Sequence, residues 1–275
     1  MLKGDSGALA LHWPLKNAGI EPQQLFMRYY LKLGSNWNVD LCHQDTGERS
    51  GGGGKFPGLA DVRVDDSATR EEQCGNGGAT ADGINCWSGR AQFRHCSAGE
   101  SRPYNICSSG AVTRFGYYLY HARQVDIWGD GGFWDNEPWG QSYGGGSCES
   151  EPSNTLCGID HVGNLGLDRW YRIEMQIKMN TPGQADGIAR GWVDGKLAYD
   201  KTNMVFRLEG HDNLHVRTAW LNVHKGGDVP WGNCEDSAVY LDQLVLATDA
   251  RVDESIDSSH ARSQRVSSVP GCSKM

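Results

Sequence analysis

Short runs of alternating apolar and polar residues dominate the chain, and helical periodicity is nearly absent. Trp170 to Asn180 (WYRIEMQIKMN) alternates most regularly. Tyr171, Ile173, Met175, Ile177 and Met179 form its apolar face, and Arg172, Glu174, Gln176 and Lys178 its polar face. Side chains alternate along a strand, so this pattern predicts a strand with one face in a core. Gln24 to Leu33 (QLFMRYYLKL) predicts a second strand, with Arg28, Tyr30 and Lys32 on one face. Phe115 to His121 (FGYYLYH) predicts a third, with Tyr118 and Tyr120 sharing a face. In Gly191 to Tyr199 (GWVDGKLAY), Asp194-Gly195 between alternating segments predicts a tight hairpin. Val216 to Val223 and Val239 to Ala247 complete the set, the latter as a central or closing strand.

Many short strands, Gly-rich turns and almost no helix predict an all-β fold, a β-jelly roll or two-sheet antiparallel sandwich of the concanavalin-like kind. One domain over residues 25–250 is expected, with an N-terminal extension over 1–24 and a polar, Ser-rich tail over 251–275.

Composition narrows the class. The 275 residues include 37 Gly and 10 Trp, and the apolar share of 38% is too high for a disordered chain. The glycines show no three-residue period, which excludes collagen. No run approaches the roughly 18 apolar residues of a membrane helix. A net charge of −8 disfavours nucleic acid, since phosphate contacts need a concentrated basic surface.

Nine cysteines occur, none in a C-x-x-C pair, so zinc ribbons and thioredoxin-like sites are not expected. Seven of them fall between 42 and 157 in Gly/Ser/Asn-rich segments, which predicts disulfides stapling loops. Disulfides imply an oxidising, extracellular compartment and a secreted protein. An odd count leaves one thiol unpaired or in an intermolecular bridge. Met1 to Gly7 carries no apolar run long enough for a signal peptide and reads as the start of a mature chain.

Three segments could carry chemistry. Gly51 to Gly58 (GGGGKFPG) is not a P-loop, because Phe56 stands where Ser or Thr should follow the Lys and Pro57 opposes a helix. Taken alone, it reads as a flexible surface loop with a solvated Lys55. In Cys86 to Ala91 (CWSGRA), a strand would project Ser88 and Arg90 from one face. Tyr118 and Tyr120 on a strand face fit aromatic packing or sugar stacking.

In this order, GGGGKFPGLA, W-S-x-R and Y-x-Y resemble polysaccharide lyase family 14, β-jelly-roll lyases of alginate and related polyuronates. NTPGQADGIARGWVDGKLAYD, WLNVHKGG and YLDQLVLATD are similar to later stretches of that family, so the likeness runs roughly from Leu25 to Thr248. It implies that Lys55, Ser88, Arg90, Tyr118 and Tyr120 match the family's catalytic positions. The loops from Asp61 to Trp87 and from His95 to Gly116 are long and Cys-rich, a departure that bears on substrate choice. Family 20 glucuronan lyases share the fold and a comparable Gly-Lys segment, so a glucuronan substrate stays open.

These residue types suit the reaction. Cleaving a 4-linked uronate by β-elimination removes the C5 proton beside a carboxylate, and that carbon acid is very weak until the carboxylate charge is neutralised. Arg90 can grip a carboxylate bidentately. Lys55 adds a second cation or serves as base when desolvated. A tyrosine beside such cations can take the proton, and the same or a neighbouring one can protonate the leaving oxygen. Ser88 would orient groups by hydrogen bonding, and the scheme needs neither metal nor other cofactor.

Arg28, Tyr30, Gln176, Arg190, Asn222 and His224 are further substrate-binding candidates from polar strand faces. Glu174 and Lys178 read instead as solvated charges. Asn222 and His224 share a face with Trp220. His211 and His215 lie four apart, about 13 Å along a strand, too far for one metal ion.

The expected partner is an acidic polysaccharide bound by a monomer, with no nucleic acid and no membrane. The substrate is a polyanion, so an acidic chain needs a locally cationic groove. A non-catalytic, lectin-like jelly roll is the alternative, and convergence of Lys55, Arg90, Tyr118 and Tyr120 would separate the two. A β-glucanase is disfavoured, since the E-x-D-x-E strand of jelly-roll glucanases is absent.

Overall fold

A computed structural model describes residues 2–5, 7–50, 52–61, 75, 77–95, 111–124, 127, 129–133, 164–226 and 230–251. Among them run fifteen strands: β1 (Gly7–Pro14), β2 (Gln24–Leu33), β3 (Leu41–His43), β4 (Arg49–Ser50), β5 (Gly53–Asp61), β6 (Trp87–His95), β7 (Ala111–Tyr120), β8 (Asp130–Phe133), β9 (Asn164–Gly166), β10 (Trp170–Lys178), β11 (Gly187–Val193), β12 (Lys196–Met204), β13 (Thr218–Gly226), β14 (Trp231–Asn233) and β15 (Val239–Ala247). A single 3₁₀ turn, Leu15–Ala18, is the one helical element described.

Two antiparallel sheets pack face to face, as the alternation predicts. The larger has the order β1-β13-β5-β6-β7-β8, with β9 also on β7. The smaller has the order β12-β11-β10-β2-β15. From the smaller sheet, Leu25, Met27, Tyr29, Leu31, Tyr171, Ile173, Met175 and Ile177 enter the core. Phe56, Leu59, Ala91, Phe93, Phe115, Tyr117 and Leu119 meet them from the larger sheet. Burying that much apolar surface is the main force closing the sandwich. Tyrosine hydroxyls bridge the layers: Tyr117 donates to the Arg190 carbonyl at 2.6 Å, and Tyr29 to the Pro57 carbonyl at 3.4 Å. Burial pushes the pKa of both phenols well up.

The hairpin between β11 and β12 turns at Asp194 and Gly195, with φ of 50° and 81°. Positive φ at both central residues is what a type I′ turn requires. Val239 to Ala247 is a closing strand, at the edge beside β2.

Two expectations need correction. Residues 1–24 are not merely an extension, because β1 pairs with β13 and forms an edge of the larger sheet. The Gly-rich segment is not a surface loop either. From Gly53 it forms β5, an interior strand between β13 and β6. Glycine is required there by close approach rather than flexibility. A Cβ on Gly54 would collide with the His224 carbonyl, and one on Gly58 with the backbone of Gly89 and Arg90. Pro57 is tolerated because the pairing with β6 shifts register between Phe56 and Gly58.

A third sheet, β14-β3-β4, is stapled by a Cys42–Cys234 disulfide. Cys86 is disulfide-bonded as well. The other six cysteines, the middle of each Cys-rich loop and the tail beyond Arg251 lie outside the described residues.

Candidate functional site

Alternation within the larger sheet separates two sets of side chains. While Phe56, Ala91, Phe93, Tyr117 and Leu119 enter the core, their neighbours Lys55, Arg90, Gln92, Tyr118 and Tyr120 project from the other face. Register lines these up across the strands. Lys55 is paired with His224 on β13 and with Gln92 on β6. Arg90 is paired with Tyr118, and Ser88 with Tyr120.

The five expected catalytic residues therefore converge. The Lys55 ammonium lies 4.9 Å from the Tyr118 ring centre, and the Arg90 guanidinium carbon 5.5 Å from the same ring. The Tyr118 and Tyr120 hydroxyls are hydrogen-bonded at 3.1 Å. The Gly78 N–H donates to the Tyr120 oxygen at 3.2 Å. Ser88 Oγ donates to the Gly75 carbonyl, which also accepts from Arg90 Nη2 at 3.4 Å. Ser88 thus orients backbone near Arg90 and has no general base positioned to make it a nucleophile among these contacts. Ser88, Arg90, Tyr118 and Tyr120 are all at most 5% exposed. Held this way, they lose little freedom on binding a ligand.

The seating of Arg90 was only partly legible in the sequence. Its guanidinium stacks on Trp220 at 4.1 Å, and Nη1 donates to Asn222 Oδ1 at 3.3 Å. Asn222 in turn donates to the Leu9 carbonyl at 3.3 Å. The His12 ring packs on Trp220, with centres 4.4 Å apart. Asn222 and His224 belong to this face, as expected. His12 and Gln92 were missed. Alternation from Arg90 would have found Gln92, but no pattern marked β1 as a strand.

Two cations shape the local titration. Burial first, then Lys55 and Arg90, lower the His224 pKa to about 4. Burial and Arg90 likewise lower that of His12. Both imidazoles are thus neutral at neutral pH, so the local positive charge rests on Lys55 and Arg90. Keeping His224 neutral has a stability signature. Between pH 6.5 and 4 the unfolded chain takes up a proton that the folded protein refuses, so stability falls as pH falls through that window, by at most about 1.4 kcal/mol per pH unit from this group. Denaturant unfolding from pH 7 to 4 is expected to show a shallower decline for His224→Gln than for the wild type. Identical slopes would show that His224 is not held neutral.

Arg28, Tyr30, Gln176 and Arg190 do not join this site. They project from the outer face of the smaller sheet, across the sandwich, because their neighbours in β2, β10 and β11 fill the core. Arg190 Nε donates to Asp200 at 2.7 Å, Gln176 donates to Gln24 at 2.9 Å, and Arg28 lies over the Tyr30 ring at 5.9 Å. Glu174 is not a solvated charge. It is 2% exposed, and ion pairs to Arg172 at 3.0 Å and Arg251 at 3.1 Å compensate its burial. Lys178 is exposed, as expected.

His215 bonds Gln23 at 2.7 Å through Nδ1. Among the described residues, no group of three or more His, Cys, Asp or Glu could hold a metal ion. No helix there is long and apolar enough to cross a membrane.

No family model matches the chain, and no curated protein does. Solved structures do. The chain is similar to alginate lyase Aly36B, at 18% identity and a TM-score of 0.57, over 90% of this chain and 78% of that one. A mutant of that lyase in complex with an alginate tetrasaccharide matches at 17% identity and TM-score 0.57, over 89% and 77% of the two chains. The PL-14 alginate lyase from Aplysia kurodai matches at 15% identity and TM-score 0.55, over 90% and 80%. At such identities the likeness establishes that this chain has the fold on which those alginate lyases are built.

Proposed function

We propose that the protein is a secreted polysaccharide lyase that cleaves a 4-linked polyuronate, alginate or glucuronan, by β-elimination. The observation that carries this reading is the placing of Lys55 and Arg90 against the same Tyr118 ring, with the Tyr120 hydroxyl bonded to that of Tyr118. A lectin needs aromatic surface and hydrogen bonders, not two cations focused on a phenol pair. Support also comes from the shared fold and from the neighbour solved with an alginate tetrasaccharide.

In this scheme the carboxylate of the reacting uronate binds between Lys55 and Arg90. Their charges stabilise the enolate-like intermediate formed when the C5 proton leaves. One tyrosine of the Tyr118–Tyr120 pair reacts as its phenolate, and that oxygen accepts the proton. Electrons of the C5–H bond become the C4=C5 double bond as the C4–O bond breaks, and the departing oxygen takes a proton from the pair. The direct bond between the hydroxyls lets one tyrosine pass a proton to the other. Ser88 and Gly75 fix the backbone behind Arg90, and Trp220 with Asn222 fix its guanidinium.

The product carries a conjugated double bond that absorbs in the ultraviolet. Incubation with polymannuronate, polyguluronate and glucuronan is expected to raise ultraviolet absorbance with at least one polymer. A flat trace with every polyuronate across pH 6–10 would sink the lyase assignment.

A further inference from the structure

Gln92 stands on the same face as Lys55 and Arg90 but has no evident part in holding the fold. It is 4% exposed and so almost wholly buried. It pairs directly with Lys55 on β5 and with Gly116 on β7. Arg90 lies two positions away on β6, about 7 Å along the same face. Among the described residues, no hydrogen bond to the Gln92 amide is found, whereas Arg90, Asn222, Tyr118 and Tyr120 are all bonded. Most buried polar groups are satisfied, so an amide placed this way calls for a partner.

The neighbours accommodate the amide without bonding it. Gly116 brings no side chain to the β7 side. On β8, a Cβ at Gly131 would come within 2.9 Å of Gln92 Nε2, so it is the glycine there that admits the amide. Next to Lys55, His224 is neutral and adds no competing charge.

We propose that Gln92 is a substrate-binding residue whose Nε2 donates to the carboxylate of the uronate held between Lys55 and Arg90. This rests on the polyuronate reading above and adds what the cations cannot supply. Lys55 attracts a carboxylate as a point charge, and Arg90 already gives one N–H to Asn222 and one to the Gly75 carbonyl. A neutral donor on one side adds a hydrogen bond that holds the carboxylate alike before and during proton transfer, so it acts on binding more than on the chemical step. An amide does so without an acceptor charge that would cancel a cation, which a glutamate of the same shape would bring.

The test compares Gln92→Leu, Gln92→Glu and Gly131→Ala with the wild type, on the polymer that the wild type cleaves. Gln92→Leu is expected to raise KM about tenfold while kcat falls by less than about threefold. Gln92→Glu is expected to lose about a hundredfold in kcat/KM at pH 8 and to regain part of it toward pH 5, as the carboxyl approaches its pKa. Gly131→Ala pushes the amide aside and is expected to raise KM with Gln92 intact. It stands in for Gln92→Leu should that variant not fold. A Leu variant with wild-type KM overturns the assignment, whatever its melting temperature. If the wild type cleaves nothing, the lyase reading falls, and calorimetric titration with a uronate tetrasaccharide decides Gln92 separately. Binding about tenfold weaker in Gln92→Leu upholds its role, and equal binding, or none by the wild type, overturns it.

Discussion

Replacing Arg90 with Ala is expected to lower kcat/KM on a polyuronate by about 10²–10³-fold, the usual cost of one charge-stabilising donor. The loss should be large because no neighbouring group can take over its geometry. The guanidinium is planar, lies flat on Trp220 at 4.1 Å, and directs one nitrogen to Asn222 and another to the Gly75 carbonyl. That arrangement holds the guanidinium in one orientation. Arg90→Lys keeps the charge but offers a point donor without the stacking plane, so it should recover little of the loss. Steady-state kinetics on both variants checks this, with melting curves to confirm that each is folded. An Arg90→Lys enzyme with wild-type kcat/KM would remove the bidentate role while leaving a cationic one.

Removing the Cys42–Cys234 disulfide is expected to destabilise the fold by about 3–5 kcal/mol. The bond joins residues 192 apart in sequence, so its loss frees a very large loop in the unfolded chain. It also clamps the small third sheet, where the Gly4 N–H donates to the Asn233 carbonyl at 2.9 Å and Gly232 packs so closely on Gly4 that a Cβ would not fit. Urea unfolding of the Cys42→Ala/Cys234→Ala variant measures the effect. A loss below about 1 kcal/mol would mean that the unfolded chain stays compact there without the bond. The site residues lie on β5, β6, β7 and β13, outside that sheet, so kcat should change far less than stability.

Much of the fold was legible from alternation. In β10 every second residue from Tyr171 to Ile177 is apolar and enters the core, and the Asp194-Gly195 turn falls where the sequence puts it. The catalytic candidates were legible through the order of three short motifs, and the structure brings all five to one face. Sequence reasoning failed where burial and close approach override local pattern. A run of glycines reads as flexible, yet Gly54 and Gly58 sit in an interior strand because neighbouring backbones leave no space for a side chain. Glu174 reads as solvated, yet two arginines compensate its burial, one of them at the far end of the described chain.

From the order of residues alone follow an all-β chain, the positions that alternate toward a core, and the cations and tyrosines that could serve a β-elimination. Which polar faces work together depends on how the strands assemble. Alternation has a period of two, so it divides each strand into two faces without telling which sheet the strand joins or what lies opposite. Arg28, Tyr30, Gln176 and Arg190 look as suitable as Asn222 and His224 on that criterion. Sheet order separates them, placing the first four on the far side of the sandwich and the last two beside Arg90 and Lys55. The local basicity of this face arises the same way: Lys55 and Arg90 stand about 120 Å apart along an extended chain, and one strand pairing brings them together.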